Sequence, residues 1–152
     1  MTESQHDRAS SDARDELQNR EVRYPENRVL GLVENPEQLA STVNALTSGG
    51  FLQSEIEVIC GSAAAERLRE NTGRTGLAHL AMRIGESIGM PNDETAIKNR
   101  YADALKQGKL LVAVLALSDD RKAEATRILQ ANGAVGVLFF GKNLIERPAR
   151  AD

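Results

Sequence analysis

Cys60, His79, Tyr101, Arg74 and the Gly61-Ser62 pair are the residues whose types and settings could do chemistry in this 152-residue chain. Cys60 closes an apolar run just ahead of a helix start. A thiolate there would be stabilised by the positive end of the helix and could serve as a nucleophile or redox group. That chemistry needs a base, and the flanking sequence supplies none, so the competing reading is a small buried hydrophobe. Gly61-Ser62 marks a strand-to-helix junction whose backbone N–H groups could cradle an anion. No G-x-G-x-x-G and no P-loop lysine accompanies it, and helix capping also explains Ser62. Arg74 lies in a Gly/Thr segment where it could meet an anionic ligand or simply face water. Tyr101 falls on an apolar helical face, with a hydroxyl suited to a ligand or to one internal hydrogen bond.

Metal and acid–base sets are harder to assemble. The chain has two histidines and one cysteine, too few for a Cys/His zinc site, and no H-x-x-x-H or H-x-x-E-H spacing occurs. His6 belongs to the N-terminal segment, and His79 reads as a helix-surface residue. Neither a paired-carboxylate set nor a Ser/His/Asp set can be built around any of these side chains. The expectation is therefore no catalytic residue, no metal and no cofactor. Arg74, His79 and Tyr101 remain the candidates for binding.

Charge and composition narrow the classes. Aromatic residues are 3% of the chain and the net charge is −3, which disfavours a nucleic-acid surface of basic patches and stacking rings. No apolar run reaches the ~18–20 residues of a membrane span, and no signal-peptide pattern opens the chain, so a cytoplasmic protein is expected. Residues 1–27 hold four arginines against seven carboxylates, so the whole net charge sits there. This segment is poor in large apolar residues and reads as a disordered acidic tail. A single α/β domain is expected over residues 28–147.

The elements that would position these residues are punctuated clearly. Val29 to Val33 reads as a strand, stopped by Asn35-Pro36-Glu37-Gln38. There Asn35 suits an N-cap, Pro36 the first helical position and Gln38 a capping-box partner. Leu39, Val43 and Leu46 follow on one helical face, and Gly49-Gly50 ends the helix. Glu55 to Cys60 is the second strand. A helical stretch from Gly61 to Leu68, a loop over Asn71–Gly76, and a helical stripe of Leu77, Leu80, Ala81, Ile84 and Ile88 come next. Asn92 caps a third helix of this stretch, closed by Gly108. Leu110 to Leu117 is eight consecutive apolar residues, the third strand. Ser118 caps another helix, with Asp119 and Asp120 in its first turn. Ala134 to Phe140 is the fourth strand.

Residues 29–59 and 110–140 thus repeat strand, capped helix, strand at nearly the same spacing, around a helical insertion over 61–108. Two sheets accommodate this order. One is a ferredoxin-like split βαβ sheet with order 4-1-3-2; the alternative is a doubly wound parallel sheet. Strands buried on both faces of a parallel sheet are near-continuously apolar. The second strand instead alternates, with Glu55 and Glu57 on one side and Ile56 and Val58 on the other. It is read as an edge strand whose carboxylates discourage edge pairing, and the ferredoxin-like order is favoured. The third strand is apolar on both faces, so Leu111 and Val112 should both be buried although they point oppositely. The insertion is expected to cover the face that the two βαβ helices leave open. Any remainder should drive a homodimer.

Gly89-Met90-Pro91, Glu94, Ala96, Tyr101, Leu105, Gly108 and the strand Leu110-Leu111-Val112-Ala113-Val114 resemble the bacterial general-stress (heat-induced stress protein) domain family. Ala123-Glu124-Ala125, Ile128-Leu129 and Asn132-Gly133-Ala134-Val135 are similar to it too, as is Val29 to Cys60. The resemblance covers about residues 28–140 and rests on structural punctuation. Members have a glycine-rich apolar stretch after the second strand; here Ser62 to Ile88 holds Gly73, Gly76 and Gly85 but also several charges, a departure that argues against a membrane role. The resemblance implies a stress-associated bacterial domain with no established reaction, and no catalytic residue is carried over. The expected function is binding or assembly without catalysis, with a second copy, a protein or a small molecule as partner. The alternatives are a small-molecule-sensing regulatory domain of ferredoxin-like type and an enzyme with an unrecognised site.

Overall fold

The computed structural model describes residues 21–75, 77, 80–90, 94–142 and 145–146, with residues 71–75 described by backbone alone. The chain runs β1 (Glu21–Val22), β2 (Arg28–Val33), α1 (Pro36–Ser48), a 3-10 turn over Gln53–Glu55, β3 (Ile56–Cys60) and α2 (Ser62–Thr75). It continues through β4 (Ala81–Ile84), β5 (Ser87–Ile88), α3 (Thr95–Lys106), β6 (Leu110–Leu115), α4 (Asp119–Ala131), β7 (Val135–Phe140) and β8 (Ile145–Glu146). Local chemistry starts α1 and α4. The Asn35 side chain accepts from the Gln38 N–H at 2.8 Å, and Gln38 Oε1 accepts from the Glu34 N–H at 2.8 Å. Ser118 Oγ accepts from the Arg121 N–H at 3.2 Å. The bonds to the Gln38 and Arg121 N–H groups satisfy amides that the first helical turn leaves without an intrahelical acceptor, and the Gln38 side chain ties the residue before the N-cap to that turn.

Six strands form one mixed sheet in the order β4-β3-β6-β2-β7-β8. The pairs β3–β6, β6–β2, β2–β7 and β7–β8 are antiparallel, and β3–β4 is parallel. A doubly wound parallel sheet is therefore excluded. β1 and β5 make a separate parallel pair. The β2–β7 register slips between Leu30 and Leu32. Across that slip Gly136 takes φ +61°, a left-handed conformation that a side chain would strain. A Cβ on Gly31 would come within 3.0 Å of Ala134 Cβ, so the irregularity holds the two strands closer than two side chains allow.

Both faces of the sheet are packed, because side chains alternate along each strand. Val29, Val33, Ile56, Val58, Val112 and Val114 point to one face, against Leu39, Val43 and Leu46 of α1, Ala65 and Leu68 of α2, and Ala125 and Leu129 of α4. Leu30, Leu32, Ile59, Leu111, Ala113, Leu138 and Phe140 point to the other, under Val22, Ile88, Tyr101, Ala104 and Leu105. Leu111 and Val112 are both fully buried. Each buried Leu or Val of this kind contributes roughly 1.5–3 kcal/mol.

Several elements differ from the sequence reading. The stretch expected as a helix from Leu77 to Ile88 contains β4 and β5 instead, so the insertion over 61–108 is not wholly helical. Backbone pairing explains this. β4 hydrogen-bonds the flank of β3 that β6 leaves free, with Glu57 opposite Ala81 and Cys60 opposite Ile84. The apolar residues fit that outcome as well as a helix: Leu77, Leu80 and Ile84 join the first core layer and Ile88 the second. β3 is accordingly not an edge. The backbone of α2 continues through the expected loop at 71–75, and the expected cap Asn92 lies outside the described residues. β6 stops at Leu115, leaving Leu117 exposed.

The cover of the second face also differs. α2 packs with α1 on the first face, so only β5 and α3 of the insertion reach the second. The rest of the cover comes from the segment read as tail. Val22 is 3% exposed, and the Tyr24 ring stacks on Phe140 at 5.3 Å between centroids. Its hydroxyl donates to the Gly141 carbonyl at 2.8 Å. Residues 21–27 therefore belong to the packed structure; the remainder of the acidic segment, residues 1–20 with His6, lies outside the described residues.

Candidate functional site

The structure separates the residues singled out above. Cys60 is fully buried in the first core layer, and burial pushes its thiol up to about 11. Desolvation of the thiolate outweighs any gain from the neighbouring helix start. Tyr101 is fully buried, its ring stacked on Phe140 at 6.0 Å and its hydroxyl donating to the Gly136 carbonyl at 2.8 Å. Burial raises its pKa above the ordinary tyrosine value. The internal hydrogen bond, rather than a ligand, uses its hydroxyl. At the start of α2, a Cβ on Gly61 would lie 3.7 Å from Glu86 Oε1, so a carboxylate already stands beside the expected anion cradle. His79 and the Arg74 side chain lie outside what is described. Among the described residues, no group of three or more His, Cys, Asp or Glu is placed to hold a metal ion, and no helix is long and apolar enough to cross a membrane.

The structure instead assembles a charged corner that sequence reasoning did not find. Glu57 projects from β3 on the second face, beside Ala113 of β6. Its Oε1 lies 3.0 Å from Arg28 Nε, and its Oε2 lies 3.1 Å from Arg83 Nε. The Glu57 side chain is 12% exposed, against 25% for Arg28 and 35% for Arg83. Oε1 accepts no hydrogen bond, so its contact with Arg28 is ionic and off the N–H line. Arg28 turns one terminal amine to the Glu26 carbonyl at 2.9 Å. Half-buried Leu115, opposite Arg28 in the β2–β6 register, adjoins the triad. β1, β5 and α3, with Tyr24 and Ile145, cover much of this face, and the three side chains of the triad stay partly exposed at its margin. The strand alternation pointed to Glu57, but its two cations come from β2 and β4, which no local spacing links to it. Glu55, its expected companion, sits in the 3-10 turn, bonded to the Leu52 N–H at 2.8 Å and paired with Arg121 at 3.2 Å.

Two clefts flank the second face. One of about 390 Å³ lies between β1 and β4, with Arg23 and Arg83 in its wall. Glu21, also in its wall, is held by Lys98 at 2.8 Å. The other, of about 470 Å³, lies between α3 and the start of β7. Arg100, Asp103 and Lys109 supply its charges, and Leu32, Ala104 and Val135 its apolar wall. Neither cleft contains a nucleophile beside a base among the described residues. Compared with family models, curated proteins and solved structures, the chain finds no match.

Proposed function

We propose that the chain is a ferredoxin-like binding and assembly domain rather than an enzyme, and that a second copy of it packs against the charged corner of the sheet. The strand order β3-β6-β2-β7 supports the ferredoxin-like reading. The units β2–α1–β3 and β6–α4–β7 interleave, each placing its first strand at the centre. The observation that carries the assembly reading is the Arg28–Glu57–Arg83 triad beside half-buried Leu115. A patch holding both signs of charge is self-complementary about a two-fold axis, where Arg83 of one copy can face the partner's Glu57. The stress context rests entirely on the family resemblance over about residues 28–140.

Sedimentation velocity over a concentration series tests this. The expected result is a monomer–dimer equilibrium that Ala81→Lys shifts to monomer. Ala81 is exposed on β4 and takes no part in the ion pairs, so its variant should melt at the same temperature as the wild type. A wild-type chain that stays monomeric into the millimolar range refutes the assembly reading.

A further inference from the structure

The cleft between α3 and β7 lies at the opposite end of β2 from the charged corner, beside Leu32 rather than Arg28. Its apolar wall includes Val135, which is 55% exposed although it opens a strand of the main sheet. Exposed large apolar residues are few among those described: only Leu52, Leu117 and Val135. Val135 alone of the three lines one of these two clefts. Concave apolar surface with a few converging polar groups is the usual form of a small-molecule site.

The charges at its rim have an unusual relation. Arg100 and Asp103 stand one turn apart on α3, a spacing at which opposite charges are neighbours and commonly pair. Among the described residues, neither makes an ion pair with the other or with any other side chain. Lys109, the other cation of the cleft, is already drawn to Glu34 at 3.4 Å. The Gly136 carbonyl is taken by Tyr101, so the bulge offers the cleft shape rather than an acceptor. Among the described residues lining the cleft of about 470 Å³, Arg100 and Asp103 are the charges left unpaired beside the apolar wall.

We propose that this cleft binds a small zwitterion with an apolar body, the chemistry of a free apolar α-amino acid. Its carboxylate meets Arg100, its ammonium meets Asp103, and its side chain lies against Val135 and Leu32. A guanidinium is well matched to a carboxylate, and Asp103 discriminates against a plain anion. This site is independent of the assembly reading and stands whether the chain is a monomer or a dimer.

Isothermal titration of the full chain with free valine, leucine, methionine and phenylalanine tests the proposal. For the tightest of these, its N-acetyl derivative and its amide are titrated as well. Saturable binding of at least one free amino acid is expected, weakened about tenfold or more when either charge is blocked. Arg100→Ala and Asp103→Asn should each remove the heat, with unchanged thermal midpoints because both side chains are exposed. No saturable heat from any of the four overturns the proposal. So does undiminished binding of the N-acetyl derivative, which would mark a plain anion site, or unchanged affinity in Arg100→Ala.

Discussion

Tyr101→Phe isolates one hydroxyl. The ring and its stack on Phe140 remain, and only the hydrogen bond to the Gly136 carbonyl is lost. That carbonyl stands at the β2–β7 register slip, displaced from the regular ladder. Removing its donor costs about 1–3 kcal/mol. In a domain of this size each kcal/mol moves the midpoint by about 2–4 °C, so a central loss of about 2 kcal/mol lowers it by about 4–8 °C. The hydroxyl also leaves a signature in pH. Burial holds the folded pKa above the ordinary 10.0, and the unfolded chain titrates near that value. A raised folded pKa gives stability that is complete below the unfolded pKa and is lost as pH rises through it. At about pH 11 the unfolded tyrosine is roughly nine-tenths ionised, and the wild type has lost about 1.4 kcal/mol that phenylalanine cannot lose. The gap between wild type and variant should therefore narrow by that amount between about pH 9 and pH 11. Urea unfolding followed by circular dichroism, with slopes compared, measures both effects. An undiminished gap at high pH, or no destabilisation near neutrality, would refute the buried, hydrogen-bonded hydroxyl.

Three further outcomes are expected. Leu111→Asp and Val112→Asp should each cost roughly 4 kcal/mol or more, since both positions are fully buried on opposite faces; a folded monomer carrying either would show that face to be wet. Asn35→Ala should cost about 1 kcal/mol by freeing the Gln38 N–H, and Ser118→Ala a similar amount at Arg121, while Asn35→Gly costs only a few tenths; equal losses in Asn35→Ala and Asn35→Gly by denaturant unfolding would exclude capping as the cause. Cys60, with its thiol pushed up to about 11 by burial, should react with a thiol reagent only through unfolding. Its labelling rate near neutral pH should then rise steeply with urea, and fast labelling in buffer would place the thiol at the surface.

Elements governed by local chemistry were legible in the sequence. Asn35-Pro36-Glu37-Gln38 starts a helix because its side chains satisfy amides within four residues, and Ser118 does the same for α4. The unbroken apolar run of β6 announced that Leu111 and Val112 would be buried on opposite faces, since alternation follows from backbone geometry. Tyr101 was legible as a core tyrosine with one hydrogen bond, but its acceptor lies 35 residues away on a bulge that no local pattern marks. The stretch from Leu77 to Ile88 was misread because its apolar spacing suits a helix and a strand equally. The free flank of β3, supplied by distant residues, decided between them. Periodicity states which side chains avoid water without stating what shields them, so only tertiary closure brought Val22 and Tyr24 over the second face and placed α2 on the first. The Arg28–Glu57–Arg83 triad is the extreme case. Its three charges come from three strands, and the attraction that joins them exists only after β2 and β4 have taken their places around β3 and β6.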